Sequence, residues 1–319
     1  MTNQSTQDAP QGGAAGGDGG EGGHQPLGRR AFMRTAGAAA AAGVAGAAAI
    51  GYVATRFRGG TPGQLVARRV SGPLPEDPAD VAWRREPAVT VPLLPQQMTT
   101  PSLQQASIEQ VQVRVLHNDQ EIAFMVEWAD QAVNEIEAVS RFRDAVAVQL
   151  PVNADPPPLI TMGAKDQPVH ILHWKASWQA DVDRGQLTVK DAFPNAFNDV
   201  YPESVMGEAA AKVFYPALYV GNPMAKREKK SSVEELVAEG FGTLTHQEQQ
   251  RAKGRAAFVS GRWRVVITVP MKATDTNQAT ITPGTPTNVA FAAWDGAKKN
   301  RGARKHWSNW VALEVEGTA

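Results

Sequence analysis

The chain has 319 residues, with 32 basic and 32 acidic side chains and no cysteine. The lack of cysteine excludes disulfides, thiolate-held iron–sulfur clusters, cysteine-type zinc sites and covalent Cys-x-x-Cys-His haem. Residues 1–58 take five of the basic and three of the acidic side chains, which leaves 27 and 29 for the remainder. That balance argues against a nucleic-acid surface and suits a domain that docks on protein partners.

Residues 1–27 form a Gly-rich extension, with eight glycines between Gly12 and Gly23. Such a stretch has no apolar surface to bury and is expected to be disordered. Residues 28–58 open with Gly28-Arg29-Arg30-Ala31-Phe32-Met33-Arg34, followed by an Ala/Gly-rich run from Ala36 to Ala54. A paired arginine, an apolar residue two positions on and a basic residue before a weakly apolar run make a twin-arginine export pattern. The expected destination is the periplasm, reached by a protein already folded. The run approaches the ~20 residues of a membrane span. Its alanines and glycines drive insertion far less than leucines would, so cleavage and retention as an anchor are both open.

Residues 59–105 are rich in proline, including Pro73, Pro75, Pro78, Pro87, Pro92, Pro95 and Pro101. This composition predicts an extended arm lying on a surface rather than a core element. From residue 106 the apolar period becomes two. Val111, Val113 and Val115 alternate with Gln112, Arg114 and Leu116, and after His117-Asn118-Asp119-Gln120 the residues Ile122, Phe124, Val126 and Trp128 alternate again. Two such runs around a polar turn predict a hairpin.

Further strands are expected at Ala145–Leu150, Val169–Trp174, Trp263–Val269, Val289–Trp294 and Trp310–Val315. The fold class is therefore mainly β, an antiparallel β-sandwich over residues 106–319. Residues 199–260 break the pattern: Ser204–Tyr219 and Ser232–Glu239 have helical composition, around the charge run Lys226-Arg227-Glu228-Lys229-Lys230. They are expected to form a partly helical insertion.

No hydrolase, metalloprotease, phosphate-loop or dinucleotide signature is present. His170 and His173 lie three apart on a predicted strand, hence on opposite faces, and make poor joint metal ligands. Two segments carry more information. One is Met162-Gly163 leading to His170-Ile171-Leu172-His173-Trp174-Lys175-Ala176-Ser177-Trp178. The other is Ala292-Ala293-Trp294-Asp295-Gly296 with Arg301-Gly302-Ala303-Arg304-Lys305-His306-Trp307-Ser308-Asn309-Trp310.

Together with the hairpin, these motifs resemble the haem-b-binding gamma subunits of ethylbenzene dehydrogenase, dimethyl sulfide dehydrogenase and chlorate reductase. The resemblance spans roughly residues 105–317 and is strongest at the C-terminal motif. It implies a sandwich with one b-type haem that exchanges electrons with the iron–sulfur subunit of a molybdopterin oxidoreductase, and no catalytic residues in this chain. It assigns the axial ligands to Met162 and Lys305. Arg301 and Arg304 are then expected at the propionates, with Trp174, Phe291 and Trp294 along the macrocycle; His170, His173 and Met98 are reserve ligands.

Taken alone, Met162 reads as core filler and Lys305 as part of a solvated basic turn. A carbohydrate-binding sandwich without haem is the alternative from another class. It expects sugar-stacking tryptophans exposed at Trp174, Trp178 or Trp307.

Overall fold

In a computed structural model of the chain, residues 63–153, 155–195, 207–226 and 228–317 are described. The Gly-rich extension and the twin-arginine segment lie outside them. Among the described residues no helix is long and apolar enough to cross a membrane.

The strands, in chain order, are β1 (Leu65–Arg69), β2 (Val89–Pro92), β3 (Leu94–Pro95), β4 (Gln110–His117), β5 (Glu121–Ala129), β6 (Ala145–Pro151) and β7 (Val169–Lys175). After them come β8 (Val233–Ala238), β9 (Thr245–His246), β10 (Lys253–Val259), β11 (Arg262–Pro270), β12 (Thr287–Trp294), β13 (His306–Trp307) and β14 (Val311–Val315). They pair in the order β10-β11-β5-β4-β1-β14-β12-β6-β7-β8-β9. The expected hairpin is β4–β5, with Val113 opposite Val126 and Val115 opposite Phe124.

β12 joins the two halves of this path. Its residues Thr287–Val289 pair with β14, while Ala290–Trp294 pair with β6. The two halves face each other across one apolar core, which takes Val113, Phe124, Trp128 and Ile267 from one side and Val148, Leu172, Trp174 and Phe291 from the other. At its centre Trp174 meets Trp128 edge-on at 6.3 Å and Trp263 at 5.1 Å between ring centroids. The fold is thus the expected β-sandwich.

The structure departs from the sequence pattern in three places. The Pro-rich arm is not confined to a surface. Its β1 runs in the middle of the sheet, parallel to both β14 and β4, with Leu65 opposite Leu313 and Ala67 opposite Val115. Leu65 and Ala67 are fully buried, because a strand flanked on both sides buries its short apolar alternation. The sheet is accordingly mixed rather than wholly antiparallel.

Third, Ser232–Glu239 is not helical. Val233–Ala238 is strand β8, paired to β7 along its length. Tertiary pairing overrides its Glu, Leu and Ala helix propensity. Helices do occupy Glu208–Phe214 and Pro216–Tyr219 within that insertion.

Glu235 shows why β8 tolerates two adjacent glutamates. Its carboxylate is fully buried and accepts from His170 Nε2 at 2.9 Å and from the Arg251 and Ala252 N–H groups. His170 Nδ1 accepts from the Ala279 N–H at 3.3 Å, so the proton on this ring sits at Nε2. Burial pushes the Glu235 pKa up, but the His170 bond and the two backbone donors outweigh it, and the net direction is down.

A lowered carboxylate pKa contributes stability that is present above the unfolded value, near 4.3, and lost as pH falls through the folded one. Glu235→Gln is expected to lower unfolding stability at pH 7 by about 2 kcal/mol, since the amide turns a donor toward donors. The deficit should shrink as pH drops below about 4. Chemical denaturation at several pH values checks this, and a deficit constant with pH would contradict it.

Candidate functional site

The outer face of the β12-β6-β7-β8 half carries a second apolar cluster that includes Ala145, Ala147, Ile171, Leu236 and Trp294, with Met162 and Ala292 packed against it. Strand alternation places it there: Phe291 and Leu172 point into the sandwich, their neighbours Ala292 and Ile171 outward. Ala145, Ala147, Ala290 and Ala292 leave room above the sheet. Loops roof that room into a cavity of about 450 Å³, within the ~300–1,000 Å³ of ordinary cofactor sites.

Two loops bring Met162 and Lys305 together over this floor, with Lys305 Nζ 3.5 Å from Met162 Sδ. Met162 has φ +70°, a conformation that long L side chains rarely adopt. The turn is held by Met162 N–H to Ile160 O (2.8 Å), Gly163 N–H to Leu159 O (2.9 Å) and Gly240 N–H to Met162 O (2.7 Å). Gly163, at φ +82°, lies so close to β8 that a Cβ would stand 2.6 Å from Gln167 O and 3.0 Å from Ala238 O. The Met-Gly pair of the sequence is therefore a turn that only glycine completes.

Lys305 is fixed by its backbone. Arg301 and Arg304 exchange N–H bonds of 3.1 and 2.9 Å in a tight turn. His306 is buried, with Nδ1 bonded to Ala293 O (3.1 Å) and Nε2 accepting from the Ser107 and Ile108 N–H groups. Ser308 Oγ accepts from Phe291 N–H at 2.9 Å. Asp295 and Gly296 close the preceding turn; the Gly296 N–H donates to buried Asp144 at 2.8 Å, and a Cβ on Gly296 would collide with Phe142 O. These contacts account for the Trp-Asp-Gly and His-x-Ser residues of the C-terminal motif.

Gln96, from the Pro-rich arm, grips the same segment. Its N–H donates to Lys305 O (2.9 Å) and its Nε2 to Ala303 O (2.8 Å) and Thr99 O (2.9 Å). Gln96→Ala is expected to lower stability by about 2 kcal/mol, or roughly 4–8 °C in Tm, by leaving the part-buried Thr99 and Ala303 carbonyls without the side-chain donor. Thermal unfolding followed by circular dichroism would show it; an unchanged Tm would contradict the role given to Gln96.

The electrostatics single out Lys305. Among the described residues it makes no ion pair, and its Nζ lies 5.6 Å from the Trp294 ring centroid. Burial alone lowers its pKa to about 8, which favours the neutral, lone-pair-bearing amine. His173 stacks on Trp294 at 4.7 Å, and burial holds its pKa well below the usual histidine range.

Arg143 Nε, His173 Nε2 and Trp307 Nε1 are buried without a hydrogen-bond partner, and all three residues line the cavity. A thioether, an amine whose pKa burial has lowered to about 8, an apolar floor and unpaired nitrogens fit a planar, metal-bearing macrocycle with polar substituents.

The other expected residues divide. Trp294 and Arg301 line the cavity, as does Met98. Arg304 is not among the lining residues. Phe291 borders the cavity but packs its side chain in the sandwich core. Trp174 is a correction: it is wholly buried between the sheets, donating Nε1–H to Gln179 at 3.4 Å, because its parity on β7 is that of Leu172 rather than His173. His170 likewise faces inward to Glu235, on the face opposite His173.

Trp178 is also buried and Trp307 half-buried; of the three tryptophans the carbohydrate alternative expects exposed, none is open. Residues absent from the sequence expectation are Lys175 and Glu234, a buried ion pair lining the cavity. The signal for Lys175 was its parity with Ile171 and His173.

The family model described as "Ethylbenzene dehydrogenase" matches residues 80–306. A Haloferax mediterranei protein described as a respiratory nitrate reductase heme subunit is 27% identical over 237 residues, covering 74% of this chain and 67% of its own. Chlorate reductase subunit gamma of Ideonella dechloratans is 22% identical over 270 residues, covering 82% and 90%. A family 9 carbohydrate binding module from Caldicellulosiruptor kristjanssonii, solved in complex with glucose, has a TM-score of 0.39 at 9% identity over 80% of this chain and 96% of its own.

Proposed function

The chain belongs to the ethylbenzene dehydrogenase family, and on that premise we propose that it is the haem-carrying electron-transfer subunit of a respiratory oxidoreductase complex. Its cofactor is haem b. The observation that carries this reading is the meeting of Met162 Sδ and Lys305 Nζ at 3.5 Å, from loops 143 residues apart, inside an apolar cavity. Bound there, the haem supplies reversible one-electron exchange.

The chain's own residues set the conditions for that exchange. Met162 offers a soft, neutral thioether, which favours ferrous iron and raises the potential. Lys305 offers an amine that burial has already moved toward its neutral form. Ala145, Ala147, Ala290 and Ala292 admit a flat ring and keep water from its face, and Trp294 walls the side below Lys305.

The family motifs and the export pattern of the sequence support a finer reading of its setting. The partner is an iron–sulfur subunit, which in turn serves a molybdopterin catalytic subunit where the substrate chemistry takes place. The location is the periplasm, reached by the twin-arginine route, with membrane attachment through the Ala/Gly-rich segment if that segment is retained. Optical spectra of the purified full-length chain, oxidised and dithionite-reduced, with a pyridine haemochrome assay, test the central point. One b-type haem per chain is expected. A chain that stays colourless when haem is supplied during expression would sink the proposal.

A further inference from the structure

Arg143 stands two residues before Ala145, where β6 begins, and lines the cavity, while the intervening Asp144 accepts from core Trp263 Nε1–H at 3.0 Å. Its Nη1 is paired with Glu137, which is 38% exposed, while its Nε is buried and without an acceptor. Beside it, Lys175 lies in register with Ala145. Lys175 Nζ sits 4.0 Å from the Trp178 ring centroid and is paired with Glu234, whose other oxygen is bonded to His246 Nδ1 at 2.7 Å. Lys175 is thus charge-balanced in the wall, whereas Arg143 keeps a donor to spare.

Arg301 and Arg304, the cations nearest Lys305 in sequence, are placed differently. Arg301 is exposed, bonded to Lys299 O at 3.2 Å, with its guanidinium 4.7 Å from the Phe142 ring centroid. Arg304 does not line the cavity.

Resting on the haem reading above, we infer that Arg143, backed by Lys175, is the anchor for a carboxylate of the bound tetrapyrrole. The chemistry is that of a guanidinium fork. Nε–H and one Nη–H lie in one plane at the spacing of two carboxylate oxygens, a match that an ammonium lacks. The arriving carboxylate supplies the acceptor that Nε has no other source for and takes the adjacent Nη2–H, on the edge of the guanidinium away from the Nη1 contact with solvent-facing Glu137. Neighbouring Lys175, already paired with Glu234, fills the wall beside Arg143 without adding an unpaired charge. Arg301 then serves the rim rather than the carboxylate.

The test titrates the full-length, haem-free chain with haem b and with haem dimethyl ester, which has no free carboxylate, following the Soret band and tryptophan fluorescence. The wild-type chain is expected to prefer haem b by about tenfold or more, the size of one charge-assisted bond. Arg143→Gln should bring that ratio to near unity, Arg143→Lys should keep part of it, and Arg301→Gln should leave it largely intact.

Equal binding of haem b and its ester by the wild-type chain would overturn the inference while leaving the haem reading in place. So would an undiminished preference in both Arg143 variants. Failure of the wild-type chain to bind either ligand would remove the proposed function and this inference with it.

Discussion

Met162→Ala and Lys305→Ala are each expected to lower haem affinity by at least about 100-fold, since loss of mere outer-shell partners already costs ~10–100-fold. What haem remains should show a high-spin spectrum, because the low-spin state needs both axial ligands. The more discriminating variant is Lys305→Arg. A guanidinium holds its protons throughout the pH range of proteins and has no lone pair to offer a metal. If Lys305 is a ligand, arginine fails as alanine does. If Lys305 serves only as a counter-ion or wall residue, arginine rescues binding. Haem stoichiometry and the reduced spectrum read this directly, and wild-type values in Lys305→Arg would remove Lys305 from the ligand set.

Trp174→Ala is expected to cost about 3–5 kcal/mol, the range for deleting a buried Trp from a packed core. In Tm that is roughly 6–20 °C for a domain of this size. The residue is 0% exposed and makes edge contacts with Trp128 and Trp263. Because its side chain lies on the inner face of β7, the fraction that stays folded should keep the wild-type haem spectrum. Trp294→Ala should behave in the opposite way. Trp294 stands beside the Lys305 amine and is stacked on His173, so its loss should perturb the spectrum more than the fold. A Trp174 variant of normal stability with an altered Soret band would reverse these assignments.

The two tryptophans show how the sequence informs and misleads. Both stand in motifs, and both are the large flat residues that a macrocycle attracts. Period-two alternation locates the strands, yet it does not say which of the two faces meets the other sheet and which meets a roof of loops. On β7 the answer is fixed by Trp128 and Trp263 across the core, contributions from strands remote in sequence. The same limit hid Lys175. A lysine at a strand end signals solvent until Glu234 and Trp178 are seen around it.

Glu234 and Glu235 were illegible for a related reason. Their segment has helical composition, and only pairing to β7, with His170 inside and Lys175 outside, makes it a strand.

By itself the sequence determined the class of the fold, because alternating Val, Ile, Phe and Trp separated by Gly, Pro and Asn can bury their apolar sides only as packed β-sheets. Met162 and Lys305 were legible only through the family resemblance that the motifs carry, since taken alone they read as core filler and a solvated basic turn. Only the tertiary structure decided which face of the sheet holds the cavity, that the Pro-rich arm enters the sheet as β1 and grips Lys305 through Gln96, and that Arg143 rather than Arg304 lines the site. Each of those outcomes depends on contacts between residues far apart along the chain, where burial and pairing act through space and leave no periodicity to read.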